Sequence, residues 1–279
     1  MNLHSPLPQD PTTSASGEAD KALAAVALPA AGEARRLDWT PELARSRGIY
    51  GFDSLDPRSR AFNMIRAKLL ELRAERGWRL FGIVSATPNV GKSFIAANVA
   101  ASLSRDPRVQ TTAVDLDLRR ASLTNILGIE PDVSIRAYLE DGAGADAPTA
   151  YELEGERLLI LPTTAGPIRS AELLAGARAQ ALLRGMRIAG DNSLFIVDLP
   201  PVFANDDAAT TMARLDAYII VVEEGKTTQR EVKDVAALLG TSRLAGVILN
   251  KYRGGLVSEG YGFDSYYAAG YGADKETGE

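Results

Sequence analysis

The segment from Leu80 to Ser104 constrains this chain more than any other. The apolar run Leu80–Val84 leads into Ser85-Ala86-Thr87-Pro88-Asn89-Val90, and Gly91-Lys92-Ser93 then opens an Ala-rich helical stretch ending at Ser104. A buried strand, a tight loop and a helix that begins Gly-Lys-Ser form the arrangement that cradles phosphate. In such a loop the backbone amides and the helix N-terminus point at a β-phosphate, a Lys supplies a cation to the β/γ-phosphates, and the adjoining hydroxyl is offered to Mg²⁺. Here those roles fall to Ala86, Thr87, Pro88, Asn89, Val90 and Gly91 for the cradle, to Lys92 for the cation and to Ser93 for the hydroxyl. The first position of the usual G-x-x-x-x-G-K-[ST] pattern is Ala86 instead of Gly. Gly-Lys-Ser alone is weak evidence, because it can stand at any helix start; the strand before it and the helix after it supply the weight.

The rest of the chain repeats the same alternation. Apolar runs at Thr112–Leu116, Leu158–Leu161, Leu194–Val197, Tyr218–Val222 and Ala245–Leu249 read as buried strands. Helical segments are expected at Ala171–Met186, near Asp207–Arg214 and at Gln229–Leu239, the last opened by a Thr228/Glu231 capping box. Ahead of the phosphate loop, Asp56-Pro57 is a helix start and Gly77 a helix stop. Between them Phe62, Ile65, Leu69 and Leu72 make one apolar face. Continuous apolar strands separated by helices imply an α/β fold, a doubly wound and mostly parallel sheet flanked by helices. We therefore expect a phosphate-loop domain over residues 51–251. A mostly disordered leader rich in Pro, Ser, Thr and Ala is expected over 1–50, and a flexible Gly/Tyr/Ala-rich tail over 252–279.

Composition narrows the chemistry. With no Cys, thiolate metal sites, disulfides and Fe–S clusters are excluded. The single His, His4, sits in the leader, which leaves carboxylates, Lys, Arg, hydroxyls and a metal ion to carry any reaction. A net charge of -5 gives no broad basic surface for nucleic acid or anionic lipid. No stretch is apolar for long enough to span a membrane. A cytoplasmic location is expected, with any membrane recruitment coming through a partner.

Two further runs fall where a metal–phosphate centre needs them. The second strand runs into Asp115-Leu116-Asp117-Leu118-Arg119 and the fourth into Asp198-Leu199-Pro200-Pro201. In doubly wound sheets ligands bind outside the carboxyl ends of the strands, so Asp115, Asp117 and Asp198 can converge on one site. The plainer role for each is to cap the helix that follows.

With these residues in hand, the chain resembles the bacterial tyrosine kinases of capsule and exopolysaccharide synthesis. Ser85–Ser93, Val114–Arg119 and Ile196–Pro201 resemble that family's Walker A, A′ and B motifs, a deviant Walker arrangement. The likeness extends through Ala171–Leu174, Asp207-Ala208, Glu224–Thr228 and Leu249-Asn250-Lys251. The resemblance implies an ATP-dependent tyrosine autokinase regulating polysaccharide polymerisation and export. ATP·Mg²⁺ would sit in the loop, with Lys92 and Ser93 on phosphate and metal. Asp198 and Asp117 would support the metal shell, and Asp115 or Asp117 would orient or deprotonate a tyrosine hydroxyl. Asn250 would be placed to read adenine. The acceptors would lie in the tail, which carries Tyr252, Tyr261, Tyr266, Tyr267 and Tyr271 out of nine tyrosines in the chain. A membrane-embedded chain-length co-polymerase would be the activating partner, at the inner face of the plasma membrane, with the kinase as a possible homo-oligomer.

Some positions depart from the family pattern. Its ring-building motif Glu-x-x-Arg-x-x-Arg reads Arg60-x-x-Asn63-x-x-Arg66 here, and Asn89-Val90 replaces Gly-Glu in the loop. The first departure motivates a second reading, an ATP-binding regulatory subunit with weak or no catalysis. A partitioning-type ATPase switch is a third, but such proteins carry a Lys at the position of Thr87.

Overall fold

Strand formation follows burial. The computed structural model describes residues 23–29, 32–141, 147–167, 169–204 and 206–252. Its strands are β1 (Arg35–Leu37), β2 (Leu80–Val84), β3 (Gln110–Asp115), β4 (Tyr151–Leu153), β5 (Leu158–Leu161), β6 (Ser193–Asp198), β7 (Ala217–Glu223) and β8 (Leu244–Asn250). They form one sheet in the order β1-β4-β5-β3-β6-β2-β7-β8, parallel throughout except for the antiparallel β4/β5 pair. The helices are α1 (Pro41–Ser46), α2 (Arg60–Arg76), α3 (Lys92–Ser104), α4 (Ser122–Leu127), α5 (Ile135–Asp141), α6 (Ser170–Ala175), α7 (Ala177–Ile188), α8 (Asp207–Met212) and α9 (Gln229–Leu239).

Successive strand residues feed opposite cores, as a pleated strand requires. Leu80 and Val84 of β2 join Leu182, Met186, Met212 and Val235 on one face, whereas Phe81 and Ile83 join Leu69, Ile95, Val99 and Leu103 on the other. β6 does the same, with Phe195 and Val197 on the first face and Leu194 and Ile196 on the second. Both faces are therefore covered, which is the doubly wound arrangement expected from the continuous apolar runs.

Helix boundaries follow local chemistry. Asp56 caps a single 3₁₀ turn over Pro57–Ser59 by accepting from the Arg58 amide at 2.9 Å, and α2 runs on from there to Gly77, whose φ of 68° ends it. Phe62, Leu69 and Leu72 are buried and Ile65 half-buried, so the predicted apolar face is the packed one. At α9 both halves of the capping box form: the Glu231 amide donates to Thr228 Oγ1 at 3.2 Å, and the Thr228 amide to Glu231 Oε2 at 2.7 Å. The single helix predicted over Ala171–Met186 is instead two. Gly176 takes an extended conformation (φ -68°, ψ 168°) that closes α6 and starts α7.

Part of the stretch read as leader belongs to the fold. β1 pairs with β4, Trp39 and Ile49 are buried, and Trp39 packs edge-on against Phe52 with centroids 6.1 Å apart. Asn98 of α3 accepts from the amides of Tyr50 (2.7 Å) and Gly51 (3.1 Å), and a Cβ at Gly51 would lie 2.2 Å from the Asn98 carbonyl oxygen. Further upstream the Val26 amide donates to the carbonyl of Ala181 on α7 at 3.1 Å. Among the described residues, no helix is long and apolar enough to cross a membrane.

Candidate nucleotide site

The site is made by where β6 is inserted. Because β6 lies between β2 and β3, the loop after β2, the segment after β3 and the end of β6 meet at the carboxyl end of the central strands. Asp198 sits in register with Asp115 on one side and Ile83 on the other. The loop closes through two left-handed residues, Asn89 (φ 65°) and Gly91 (φ 91°), and α3 begins immediately at Lys92. Asn is among the few side chains that tolerate that conformation, so Asn89 serves where Gly is usual.

Lys92 is the hub. Its Nζ lies 2.9 Å from Asp117 Oδ2, 3.3 Å from Asp198 Oδ1 and 3.4 Å from Ser93 Oγ, and every one of these residues is buried. Burial works against the ammonium charge, but Asp198, Asp117 and Asp115 outweigh it and hold Lys92 above its ordinary pKa. Burial also pushes Asp198 above the usual carboxylate range, although Lys92 pulls it back. A cleft of about 260 Å³ opens beside these groups, lined by Pro88, Asn89, Lys92, Ser93, Asp117 and Arg120 among others.

The two carboxylates after β3 have separate tasks. Asp115 is fully buried and accepts three hydrogen bonds. Oδ2 takes the Thr124 amide (2.9 Å) and hydroxyl (2.8 Å), and Oδ1 takes the Asp117 amide (3.2 Å). It anchors the start of α4 and does not line the cleft. Burial, reinforced by Asp198, pushes Asp115 up to about 7. Asp117 lines the cleft and holds Lys92.

Thr124 was not legible as a site residue. It is buried, its hydroxyl also accepts from the Thr163 amide at 3.0 Å, and nothing in its sequence position signals either bond. Ser170 is a second such residue, one place before the Ala171–Leu174 run: it accepts from Arg119 Nε at 3.0 Å and donates to Asp207. Arg119, whose role the motif left open, thereby joins the A′ segment to α6 and α8.

Asn250 ends β8 beside the loop, and its amide donates to the Val90 carbonyl at 2.8 Å. Its side chain is thus engaged with the loop backbone. Tyr261, Tyr266, Tyr267 and Tyr271 lie outside the described residues, whereas Tyr252 is described and exposed.

The donor set suits Mg²⁺ with phosphate. Asp198 Oδ2 is buried without a hydrogen-bond partner, one oxygen of a carboxylate whose other oxygen accepts from Lys92 Nζ at 3.3 Å. Among the described residues no group of three His, Cys, Asp or Glu could hold a metal ion alone. Mg²⁺ does not need one, since it is commonly held by one or two protein oxygens, water and substrate phosphates.

Residues 81–261 match the family model described as the CobQ/CobB/MinD/ParA nucleotide binding domain. The chain belongs to that family. One similar protein is the succinoglycan biosynthesis transport protein ExoP of Rhizobium meliloti (strain 1021). It is 34% identical over 178 residues, which cover 62% of this chain and 22% of that protein. The tyrosine-protein kinase YwqD of Bacillus subtilis (strain 168) is 28% identical over 196 residues, covering 69% of this chain and 80% of YwqD. The kinase domain of Escherichia coli tyrosine kinase ETK superposes with a TM-score of 0.62 at 22% identity, covering 77% of this chain and 88% of that one. That likeness shows the fold. The chain spans less than a quarter of the length of the Rhizobium relative. The resemblance drawn from the three motifs is met by relatives that carry tyrosine-kinase names.

Proposed function

We propose that this domain is an ATP- and Mg²⁺-dependent protein-tyrosine autokinase of an exopolysaccharide or capsule export system. The observation that carries this reading is Lys92 held between Asp117 and Asp198 beside Ser93, at the cleft beneath the loop. Relatives named as tyrosine kinases, and one named for succinoglycan transport, support the substrate class. Thr87 in place of Lys argues against the partitioning branch of the family.

The chemistry follows from charge. When ATP enters, its phosphates compete with Asp117 and Asp198 for Lys92, whose ammonium then stabilises the charge of the transferring phosphoryl group. Mg²⁺, held by the Ser93 hydroxyl and by Asp198 and Asp117 directly or through water, would supply the remaining neutralisation. Asp117, relieved of Lys92, is the carboxylate at the cleft that can take the proton of a tyrosine hydroxyl as its oxygen bonds to the γ-phosphorus. The bond to the β–γ bridging oxygen then breaks and ADP leaves. Asp115, spent on Thr124 and Asp117, orients this segment. The acceptors are proposed among Tyr261, Tyr266, Tyr267 and Tyr271, and the activator is a membrane-embedded co-polymerase at the inner face of the plasma membrane.

Incubating the protein with ATP·Mg²⁺ and the cytoplasmic segment of such a partner, followed by phosphotyrosine blotting, tests the reading. Signal in wild type and none in Lys92→Met is expected. Equal signal in both, or none in wild type, overturns it. Tight ATP binding without phosphotyrosine would favour the regulatory-subunit reading, which the Arg60/Asn63 departures motivate.

A further inference from the structure

The loop backbone is tied down on both sides, by different means. On the first half, backbone amides beyond β6 do the work: Val202 donates to the Ser85 carbonyl at 2.8 Å and Phe203 to the Ala86 carbonyl at 3.2 Å. Ser85 Oγ donates to the Thr87 carbonyl at 2.8 Å. On the second half, two consecutive side chains at the end of β8 take over. Asn250 Nδ2 donates to the Val90 carbonyl at 2.8 Å and Lys251 Nζ to the Asn89 carbonyl at 2.6 Å. Lys251 is itself held in a left-handed conformation (φ 55°) and is bridged to Glu223 at 3.2 Å. The fit is close: a Cβ at Gly91 would stand 2.2 Å from Asn250 Nδ2.

We propose that Asn250 and Lys251 are positioning residues for the phosphate loop, acting on its backbone and independently of the base of the nucleotide. The reason is peptide planarity. In a trans peptide the carbonyl and the following N–H point in opposite directions. Fixing the Val90 carbonyl on Asn250 turns the Gly91 N–H away from β8, and fixing the Asn89 carbonyl on Lys251 does the same for the Val90 N–H. Those are the amides a phosphate loop presents to an anion. A loop whose carbonyls are committed to the scaffold cannot turn one of them toward the phosphates. The inference rests on the nucleotide-binding reading of the loop and differs from adenine reading by Asn250, which would act on the base alone.

The discriminating experiment compares a ligand with a base and a ligand without one. Calorimetry measures the Kd of Mg-ADP and of Mg-tripolyphosphate for wild type, Asn250→Ala, Asn250→Asp, Lys251→Met and Lys251→Arg, with the melting temperature of each ligand-free protein as the folding control. For Asn250→Ala and Lys251→Met we expect both constants to rise together, by about tenfold, the scale of one lost backbone hydrogen bond. Asn250→Asp, which sets a carboxylate against the Val90 carbonyl, should exceed that, and Lys251→Arg should restore most of the affinity. If Asn250→Ala weakens ADP but leaves tripolyphosphate unchanged, Asn250 reads the base and the proposal falls. Unchanged constants for both ligands in Asn250→Ala and Lys251→Met overturn it equally. Should one variant fail to fold, the other still decides. Failure of wild type to bind Mg-ADP would instead defeat the nucleotide-binding reading itself.

Discussion

Replacing Lys92 by Met should destabilise the ligand-free protein in a way that depends on pH. Lys92 Nζ lies 2.9 Å from Asp117 and 3.3 Å from Asp198. At an effective dielectric constant of about 20 each contact is worth roughly 5–6 kcal/mol of Coulomb attraction. Stripping water from each ion offsets several kcal/mol of that. Removing the ammonium keeps the desolvation and discards the attraction, a loss of about 3–5 kcal/mol for a buried pair broken on one side. For a domain of this size 1 kcal/mol corresponds to about 2–4 °C, so the melting temperature should fall by roughly 6–20 °C near pH 8.

The sign of the pH dependence is fixed. In wild type Lys92 is held above its ordinary value of 10.5 and stays charged across the assay range. In the variant Asp198, already raised above 3.8 by burial, loses the cation that pulled it down and rises further. Its native state then binds a proton that the unfolded chain does not, so the deficit is absent below the unfolded value and grows as pH rises above it. The gap between wild type and Lys92→Met in thermal melts should thus be wider near pH 8 than near pH 5, and Lys92→Met/Asp198→Asn should recover part of it. A gap that is equal at both pH values, or a drop of less than about 3 °C at pH 8, would refute the buried-pair argument.

Other perturbations test the surroundings. Thr124→Val removes a donor to Asp115 and an acceptor for the Thr163 amide, and should cost about 2 kcal/mol in urea unfolding while moving the Asp115 titration above its place at about 7. Carboxyl NMR reads the second effect, and an unmoved titration would contradict it. Asp115, raised from 3.8 to about 7 in the folded state, contributes stability present below the lower value and lost as pH rises through the upper one. The stability advantage of wild type over Asp115→Asn should therefore shrink between pH 5 and pH 8, measured as urea midpoints. Thr228→Ala breaks the α9 capping box and should cost about 1 kcal/mol with no change in nucleotide affinity, since that cap lies outside the cleft.

What was legible in the sequence follows from length and burial. β2 and β5 match their predicted spans residue for residue because strands buried on both faces are unbroken apolar runs, and α9 matches because its capping box marks the start. β1 and β4 have three residues each, too few to show a period, and α4 begins after Ala121 (φ 50°) without a side-chain cap. At the site, the loop and Asp198 were readable because each stands at the carboxyl end of a strand. The division between Asp115 and Asp117 was not. β3 ends at Asp115, so the strand period that would place the two on one face stops applying. Only the fold shows that Thr124, nine residues on, claims the first of them.

The departures in α2 take on meaning from their partners. Asn63 accepts from Arg105 and from Ser102 Oγ (3.3 Å) and donates to Ser59 Oγ (3.4 Å), while Arg66 donates to the Ser102 carbonyl at 3.4 Å. Ser102 lies in the last turn of α3, the helix that begins at Lys92, and Arg105 is the residue that caps its end. Two of the three positions that in the resembling family build a ring are therefore used here to fasten α2 to the phosphate helix within one subunit. Acidic residues that could answer a neighbour's arginines are absent from Arg60, Asn63 and Arg66 alike. A ring built through α2 would have to compete with the bonds that Asn63 and Arg66 make to the α3 end. Contacts through Met64, 70% exposed on the same helix, carry no such penalty. Any assembly of this chain through α2 should accordingly depend on apolar burial at Met64 more than on salt, and its sensitivity to Met64→Glu relative to added NaCl would separate the two modes in sedimentation.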